Sequence, residues 1–287
     1  MKQQTWMISF EEVQSLLGQA RVVIADCRFW LAEPERGHAA YEEGHLPGAI
    51  YFNLDHDLSS PVGAHGGRHP LPSPEMLSNR LGERGIDRDT TVIVYDDQGG
   101  AMASRLWWLL QYVGHQGIVK VMDGGYSDWA KLGYPISTGQ PSPAARIYEP
   151  HVRPDLVIHM KDVRERLGRP GVVLIDSREP ARYAGESESI DPKAGHIPGA
   201  VNHFWRYGVD ETSGRWKAVG SQREAWDRLV KEADEIIVYC GSGVTACPNV
   251  LSLWQSGYPR VKLYAGSWSD WISYEENPIA VGEEEKA

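Results

Sequence analysis

Apolar residues along this 287-residue chain gather in short runs separated by stretches of helical spacing. Val22-Val-Ile-Ala25, Thr90-Thr-Val-Ile-Val-Tyr95, Val119-Lys-Val-Met122, Val172-Val-Leu-Ile175 and Glu235-Ile-Ile-Val-Tyr239 read as strands. Ile236–Tyr239, an apolar run without alternation, reads as a strand buried on both faces. Helices are predicted between them. Ser9 to Gly18 carries a Ser cap, acid in the first turn and a closing Gly. Another helix starts at Pro74, residues 101–113 recur at helical spacing, and Asp123–Trp129 opens a further one. After residue 245, Val250, Leu251, Leu253 and Trp254 fall on one helical pattern. Strands alternating with helices predict βαβ units, hence an α/β fold with a parallel sheet flanked by helices.

The series occurs twice. Val22-Val-Ile-Ala-Asp26-Cys-Arg28 returns as Val172-Val-Leu-Ile-Asp176-Ser-Arg178, and Gly44-His-Leu-Pro-Gly-Ala49 as Gly195-His-Ile-Pro-Gly-Ala200. Thr91–Asp96 aligns with Glu235–Cys240 at an offset of 144, and Asp123-Gly-Gly-Tyr-Ser-Asp-Trp129 with Ala265-Gly-Ser-Trp-Ser-Asp-Trp271 at 142. Four landmarks in one order at a near-constant offset indicate a duplicated domain. The expected division is 1–136, a Pro-bearing linker over 137–155, and 156–287.

Composition narrows the function. An apolar content of 41% and a charged content of 24% belong to a globular protein, and the length suits two domains. A net charge of −10 without a basic run argues against a nucleic-acid partner. No stretch is apolar enough to span a membrane, and Met1–Trp6 lacks the form of a signal peptide. Three cysteines, an odd number, suggest no disulfide framework, so a reducing cytoplasm is expected.

One of those cysteines ends a strand. In Cys240-Gly-Ser-Gly-Val-Thr245 the thiol precedes a glycine-bearing loop and then a helix. Convergent backbone N–H groups and the positive end of a helix dipole both favour a thiolate, the reactive form. Buried structural cysteines are also common at such places. The duplication weighs between the two, because the first copy holds Asp96 where the second holds Cys240. The scaffold therefore does not require a thiol there, and Asp96 is expected to act as a fixed structural anion. His45 and His196, present in both copies, are expected to be scaffold, and Arg178 to pair with an acid of its own domain. Cys27, Cys247 and most of the eleven tryptophans are expected to be structural.

These motifs resemble those of the tandem-domain rhodaneses, the thiosulfate and 3-mercaptopyruvate sulfurtransferases, over essentially the whole chain. The resemblance implies two rhodanese-like domains, a non-catalytic first and a catalytic second. It implies that Cys240 takes sulfur from a donor as a persulfide and passes it to cyanide or a thiol, small or on a protein, without metal or organic cofactor. Arg182 matches the family's substrate-binding arginine, with Gly241, Gly243, Val244 and Thr245 forming the loop around the sulfur. In the mercaptopyruvate branch Ser242 belongs to a proposed relay, whose other members map to His69 and Asp55. That branch places a second arginine before the Gly-His-Ile-Pro-Gly motif, where this chain offers only Lys193, a point charge without a planar grip. Thiosulfate enzymes of the group carry basic residues just after the cysteine, where this chain has Gly241 and Ser242. The loop thus favours mercaptopyruvate and the missing arginine favours thiosulfate. A cysteine phosphatase would need Cys-x5-Arg, and position 246 is Ala. A non-catalytic persulfide carrier or redox sensor is the remaining alternative.

Overall fold

The computed structural model describes residues 5–284. The strands are β1 (Met7–Ile8), β2 (Val22–Asp26), β3 (Ile50–Tyr51), β4 (Thr91–Tyr95), β5 (Val119–Met122), β6 (Val157–Ile158), β7 (Val172–Asp176), β8 (Ala200–Asn202), β9 (Glu235–Tyr239) and β10 (Val261–Tyr264). They form two five-stranded sheets of one topology, β1-β5-β4-β2-β3 and β6-β10-β9-β7-β8, with every pairing parallel. Helices connect the strands, as the alternation predicts. Ser9 caps the first helix, Phe10–Leu16, in a capping box with Glu12. The edge strands β1 and β6 have two residues each, too few to leave a periodic pattern.

Two compact units result. Among the described residues, one contains the chain up to Ser60, Pro72–Arg153 and Glu211–Trp216; the other contains Pro61–Leu71, Pro154–Asp210 and the rest from Lys217. The stretch between the repeats, through Arg153, therefore packs into the first unit, and Arg146 pairs there with Asp87. A short segment of each repeat belongs to the unit built on the other repeat's sheet.

The two cores use equivalent side chains. Ile24, Leu46, Ala49, Ile93, Tyr95 and Trp129 cluster in the first unit; Leu174, Ile197, Ala200, Ile237, Tyr239 and Trp271 cluster in the second. Full burial of a large aliphatic or aromatic side chain contributes roughly 1.5–3 kcal/mol, so these shared positions carry much of each unit's stability. Trp107, Trp108, Trp129, Trp226, Trp268 and Trp271 are fully buried, which places most of the tryptophan surplus in packing. No helix among the described residues is long and apolar enough to cross a membrane.

Each unit also buries an ion pair at the carboxyl end of β2 or β7, the strand beside its central one. Arg178 donates through Nε and Nη2 to Asp176, and through Nη2 to the Gly195 carbonyl at 2.7 Å. Its guanidinium lies 4.7 Å from the Trp268 ring. Burial works against the Arg178 charge, yet Asp176 keeps its pKa above the ordinary value. In the first unit Arg28 repeats the arrangement with Asp26, the Gly44 carbonyl and the ring of Tyr126. His45 and His196 stack on Tyr41 and Tyr183 and bond their carbonyls through Nδ1. Truncating one member of a buried pair strands the other charge, at a cost of about 3–5 kcal/mol. Asp176→Ala is therefore expected to lower unfolding stability by about that much, measured by urea denaturation; a loss below about 1 kcal/mol would place the pair among weak surface bridges.

Candidate active site

Cys240 follows β9 directly and is 1% exposed. Two features shape its loop. Gly243 has φ +77, and a side chain there would run into the Ala265 carbonyl, so only glycine fits. The helix Ser267–Trp271 then captures the loop's carbonyls, with Trp268 N–H donating to Cys240 O at 3.0 Å and Ser269 N–H to Gly241 O at 2.9 Å. With those carbonyls turned outward, amides face inward, and Gly243 N–H donates to Cys240 Sγ at 3.2 Å. The Ser267 hydroxyl accepts from Cys240 N–H, and Ser267 itself holds a left-handed φ of 57.

The equivalent loop of the first unit shows what such a cradle holds. The Asp96 carboxylate accepts from the N–H groups of Gln98, Gly100, Met102 and Ala103 at 2.8–2.9 Å. It is buried; burial pushes its pKa up while the four amides pull it back. Asp96 is thus the fixed anion expected from the sequence. At the constant offset those donors correspond to Ser242, Val244, Ala246 and Cys247. In the second unit the amides of Ser242, Val244 and Ala246 have no acceptor among the described residues.

The segment Pro61–Leu71 lies over this loop as part of the second unit. Gly66 N–H donates to Asp270 Oδ1 at 2.7 Å and Arg68 N–H to Ser269 Oγ at 3.1 Å, while His65 stacks on Tyr274. Gly67, at φ +81, packs against the Gly266 carbonyl. This anchoring delivers His69, whose Nδ1 is 2.7 Å from Ser242 Oγ, both residues being 5% exposed. Ser242 and His69 are therefore brought together. Asp55 belongs to the first unit, in a turn closed by Asn53, and burial raises its carboxyl pKa.

Arg182 stands near the loop and is well engaged. It donates through Nε to Glu188, which also lies 2.9 Å from its Nη2 as an ion pair, and through Nη2 to Asp191 at 3.0 Å. Asp191, its carboxyl buried, uses its other oxygen to accept from Arg68 Nη1. Glu188 in turn lies 3.6 Å from Arg178. A Cβ built on Gly241 would sit 3.0 Å from Arg68 Nη2 and 3.6–3.7 Å from the two Arg182 Nη atoms. Val244 is buried and Thr245 half-buried. Lys193 is exposed; its carbonyl accepts from the Trp268 indole, and no contact of its ammonium is described. Cys27 is buried against Asp26, and that burial pushes its thiol pKa well up, fitting an inert structural role. Cys247 donates to the Gly243 carbonyl. No group of His, Cys, Asp and Glu among the described residues is arranged to hold a metal.

Arg68, Glu188 and Asp191 are the residues that sequence reasoning missed. One signal was present. Gly67-Arg68-His69 recurs as Gly214-Arg215-Trp216, at an offset of 147. The second copy of this arm belongs to the first unit, where Trp216 N–H donates to Asp123 and its indole stands 3.0 Å from a Cβ built on Gly100. Trp216 thus covers the Asp96 loop at the position where His69 meets the Cys240 loop.

Comparison with known proteins bears on this arrangement. The sequence profile of the Rhodanese-like domain matches residues 9–132 and again 159–274. A Pseudomonas aeruginosa protein named "Probable 3-mercaptopyruvate sulfurtransferase" is 38% identical over 280 residues, covering 96% of this chain and 98% of that one. The thiosulfate sulfurtransferase of Gallus gallus is 31% identical over 254 residues, covering 87% of this chain and 86% of its own. The crystal structure of SseA from Escherichia coli, a 3-mercaptopyruvate sulfotransferase, gives a TM-score of 0.80 at 30% identity, covering 93% of this chain and 100% of that one. Matched twice by one domain profile and along nearly its full length by such relatives, the chain belongs to the rhodanese family, as a two-domain sulfurtransferase.

Proposed function

We propose that the protein moves sulfur from 3-mercaptopyruvate, through a persulfide on Cys240, to cyanide or a thiol acceptor. The observation that carries the choice of donor is the 2.7 Å contact between Ser242 Oγ and His69 Nδ1, two residues from the nucleophile. Mercaptopyruvate needs a proton moved. Cys240 Sγ attacks the donor's sulfur, its C–S bond breaks with the electron pair going to carbon, and the thiol proton ends on the methyl group of pyruvate. A hydroxyl hydrogen-bonded to imidazole suits that transfer, and Asp55 is proposed as a further member of the relay. Thiosulfate needs no such step, because its S–S bond breaks and the pair leaves with sulfite.

The inward amides support the covalent intermediate. A persulfide's terminal sulfur lies two bonds beyond Cβ, as a carboxylate oxygen of aspartate does. The four donors on Asp96 therefore outline where the charge of an S–S⁻ group on Cys240 would be received. Cyanide then takes the outer sulfur as thiocyanate and returns the thiolate; a thiol acceptor leaves as its own persulfide. Gly241, Gly243, Val244 and Thr245 shape the pocket around that sulfur, and Arg182 meets the anionic donor. Lys193 would assist only if its exposed ammonium turned inward. The acceptor is a small molecule or a protein thiol, and three free cysteines suit a reducing compartment such as the cytoplasm.

Thiosulfate as main donor is a second reading, favoured by the two guanidiniums beside Gly241, which suit a dianion. A persulfide carrier without turnover is the rival of another class. Steady-state transfer to cyanide separates them. Cys240→Ser is expected to abolish transfer from both donors and the persulfide mass shift of +32 Da, an increment that is simply the mass of one sulfur atom (~32 Da); residual turnover by this variant would end the proposal. Ser242→Ala and His69→Asn are each expected to reduce kcat with mercaptopyruvate by about 100-fold while changing thiosulfate turnover little. Equal losses with both donors would instead tie the pair to loop structure.

A further inference from the structure

Two arginines stand beside Gly241, and one belongs to the arm rather than to the sheet bearing the cysteine. Asp191 holds both, one carboxylate oxygen on Arg68 Nη1 and the other on Arg182 Nη2. The remaining terminal donors, Arg68 Nη2 and Arg182 Nη1, have no acceptor among the described residues. Both fall within 3.0–3.7 Å of one point, the place of a Cβ on Gly241. That point adjoins the nucleophile. Arg68 carries 29% side-chain exposure, so its free edge is reachable, whereas the Asp191 carboxyl is 1% exposed and fixes the geometry from behind.

We propose that Arg68 is a specificity-determining residue, gripping the anionic end of the sulfur donor, a carboxylate or a sulfonate, together with Arg182. The inference rests on the sulfurtransferase reading above. Converging guanidinium donors from two side chains match the oxygens of either group. Like charges held together need an anion between them, and Asp191 covers only the buried side. Burial lowers the Arg68 pKa, as do the neighbouring Arg182 and Arg178, while Cys240 and Glu188 raise it; a donor anion at that edge would add to this compensation. The arrangement also explains Gly241. A side chain at 241 would meet Arg68 Nη2, so the cation expected just after the cysteine in a thiosulfate enzyme is delivered here from the arm. Arg68, not Lys193, then stands in for the second arginine.

The test uses the full-length protein with Arg68→Ala and Arg68→Lys, and reads binding apart from turnover. Calorimetry measures affinity for pyruvate and for sulfite, the anions the two donors leave. Kinetics measures KM and kcat with each donor, and separately the discharge of a preloaded persulfide to uncharged dithiothreitol. Arg68→Ala is expected to weaken anion binding and kcat/KM about 10- to 100-fold, the scale of one charge-assisted hydrogen bond, mainly through KM. Discharge should stay unchanged. Arg68→Lys should recover sulfite and thiosulfate more than pyruvate and mercaptopyruvate, because a point charge lacks the planar fork. The donor whose affinity falls further identifies the end group that the arginines grip. Unchanged anion affinity in Arg68→Ala overturns the assignment, as does a parallel fall in both half-reactions and in thermal stability. Failure of wild-type turnover with Arg68-dependent anion binding intact would reject the proposed reaction and leave the anion site standing; wild type binding neither anion overturns the site itself.

Discussion

The buried pair of Asp176 and Arg178 is the constraint from which the second unit's site is built outward. A guanidinium and a carboxylate with almost no exposure are tolerable only if nearly every donor and lone pair is used. Arg178 meets most of that demand by reaching the Gly195 carbonyl, which ties the end of β7 to the Gly-His-Ile-Pro-Gly turn, and by lying against Trp268, while its buried Nη1 makes no hydrogen bond and faces Glu188 at 3.6 Å. Trp268 is also the residue whose amide holds the Cys240 carbonyl. Glu188 then extends the network to Arg182, and Asp191 extends it to Arg68. Three acids and three bases alternate from the strand end to the Cys240 loop. The cations beside Gly241 are therefore oriented by a buried chain of partners, which is what a selective anion site needs.

The first unit shows which parts of this plan are scaffold. It keeps the pair as Asp26 and Arg28, the carbonyl contact at Gly44 and an aromatic ring over the guanidinium. It also keeps the cradle of amides, but fills it with its own Asp96 and covers it with Trp216. A carboxylate supplied by the chain satisfies buried donors permanently. A thiol, one atom shorter, leaves several of them unmet. One side chain and the tip of one arm thus separate a cradle filled by its own carboxylate from one whose amides stay unmet, on a common backbone.

Much of this was legible in the sequence because strands, caps and loop glycines are local and periodic. The central strands, the capped first helix, the duplication and the contrast between Asp96 and Cys240 follow from adjacent residues or a constant offset. Two-residue edge strands leave no period, and their pairing depends on neighbours more than 100 positions away. Arg68, Glu188 and Asp191 lie in stretches without regular pattern, where charge order says nothing about geometry. His69 and Ser242 were named through resemblance, and only the fold brings them together. The repeated Gly-Arg of the two arms was the one written sign that the loop bearing His69 does a matched job in both copies.

The same economy governs the Cys240 loop. Buried amides without acceptors are costly, by roughly 1–3 kcal/mol each, and a chain free to relax would rotate its carbonyls inward to meet them. Here it cannot. The N-terminal amides of Ser267–Trp271 hold the carbonyls of Cys240 and Gly241, and Ser267 takes a left-handed conformation that places its hydroxyl under Cys240 N–H. Gly243 supplies the reversal that no other residue could make against the Ala265 carbonyl. The strain and the unmet donors are carried by the sheet end and the Trp268 helix, elements that the buried Asp176–Arg178 pair fixes. In the proposed persulfide step a loop so held would offer its amides to charge on the sulfur without reorganising, which is the condition under which fixed dipoles lower a barrier.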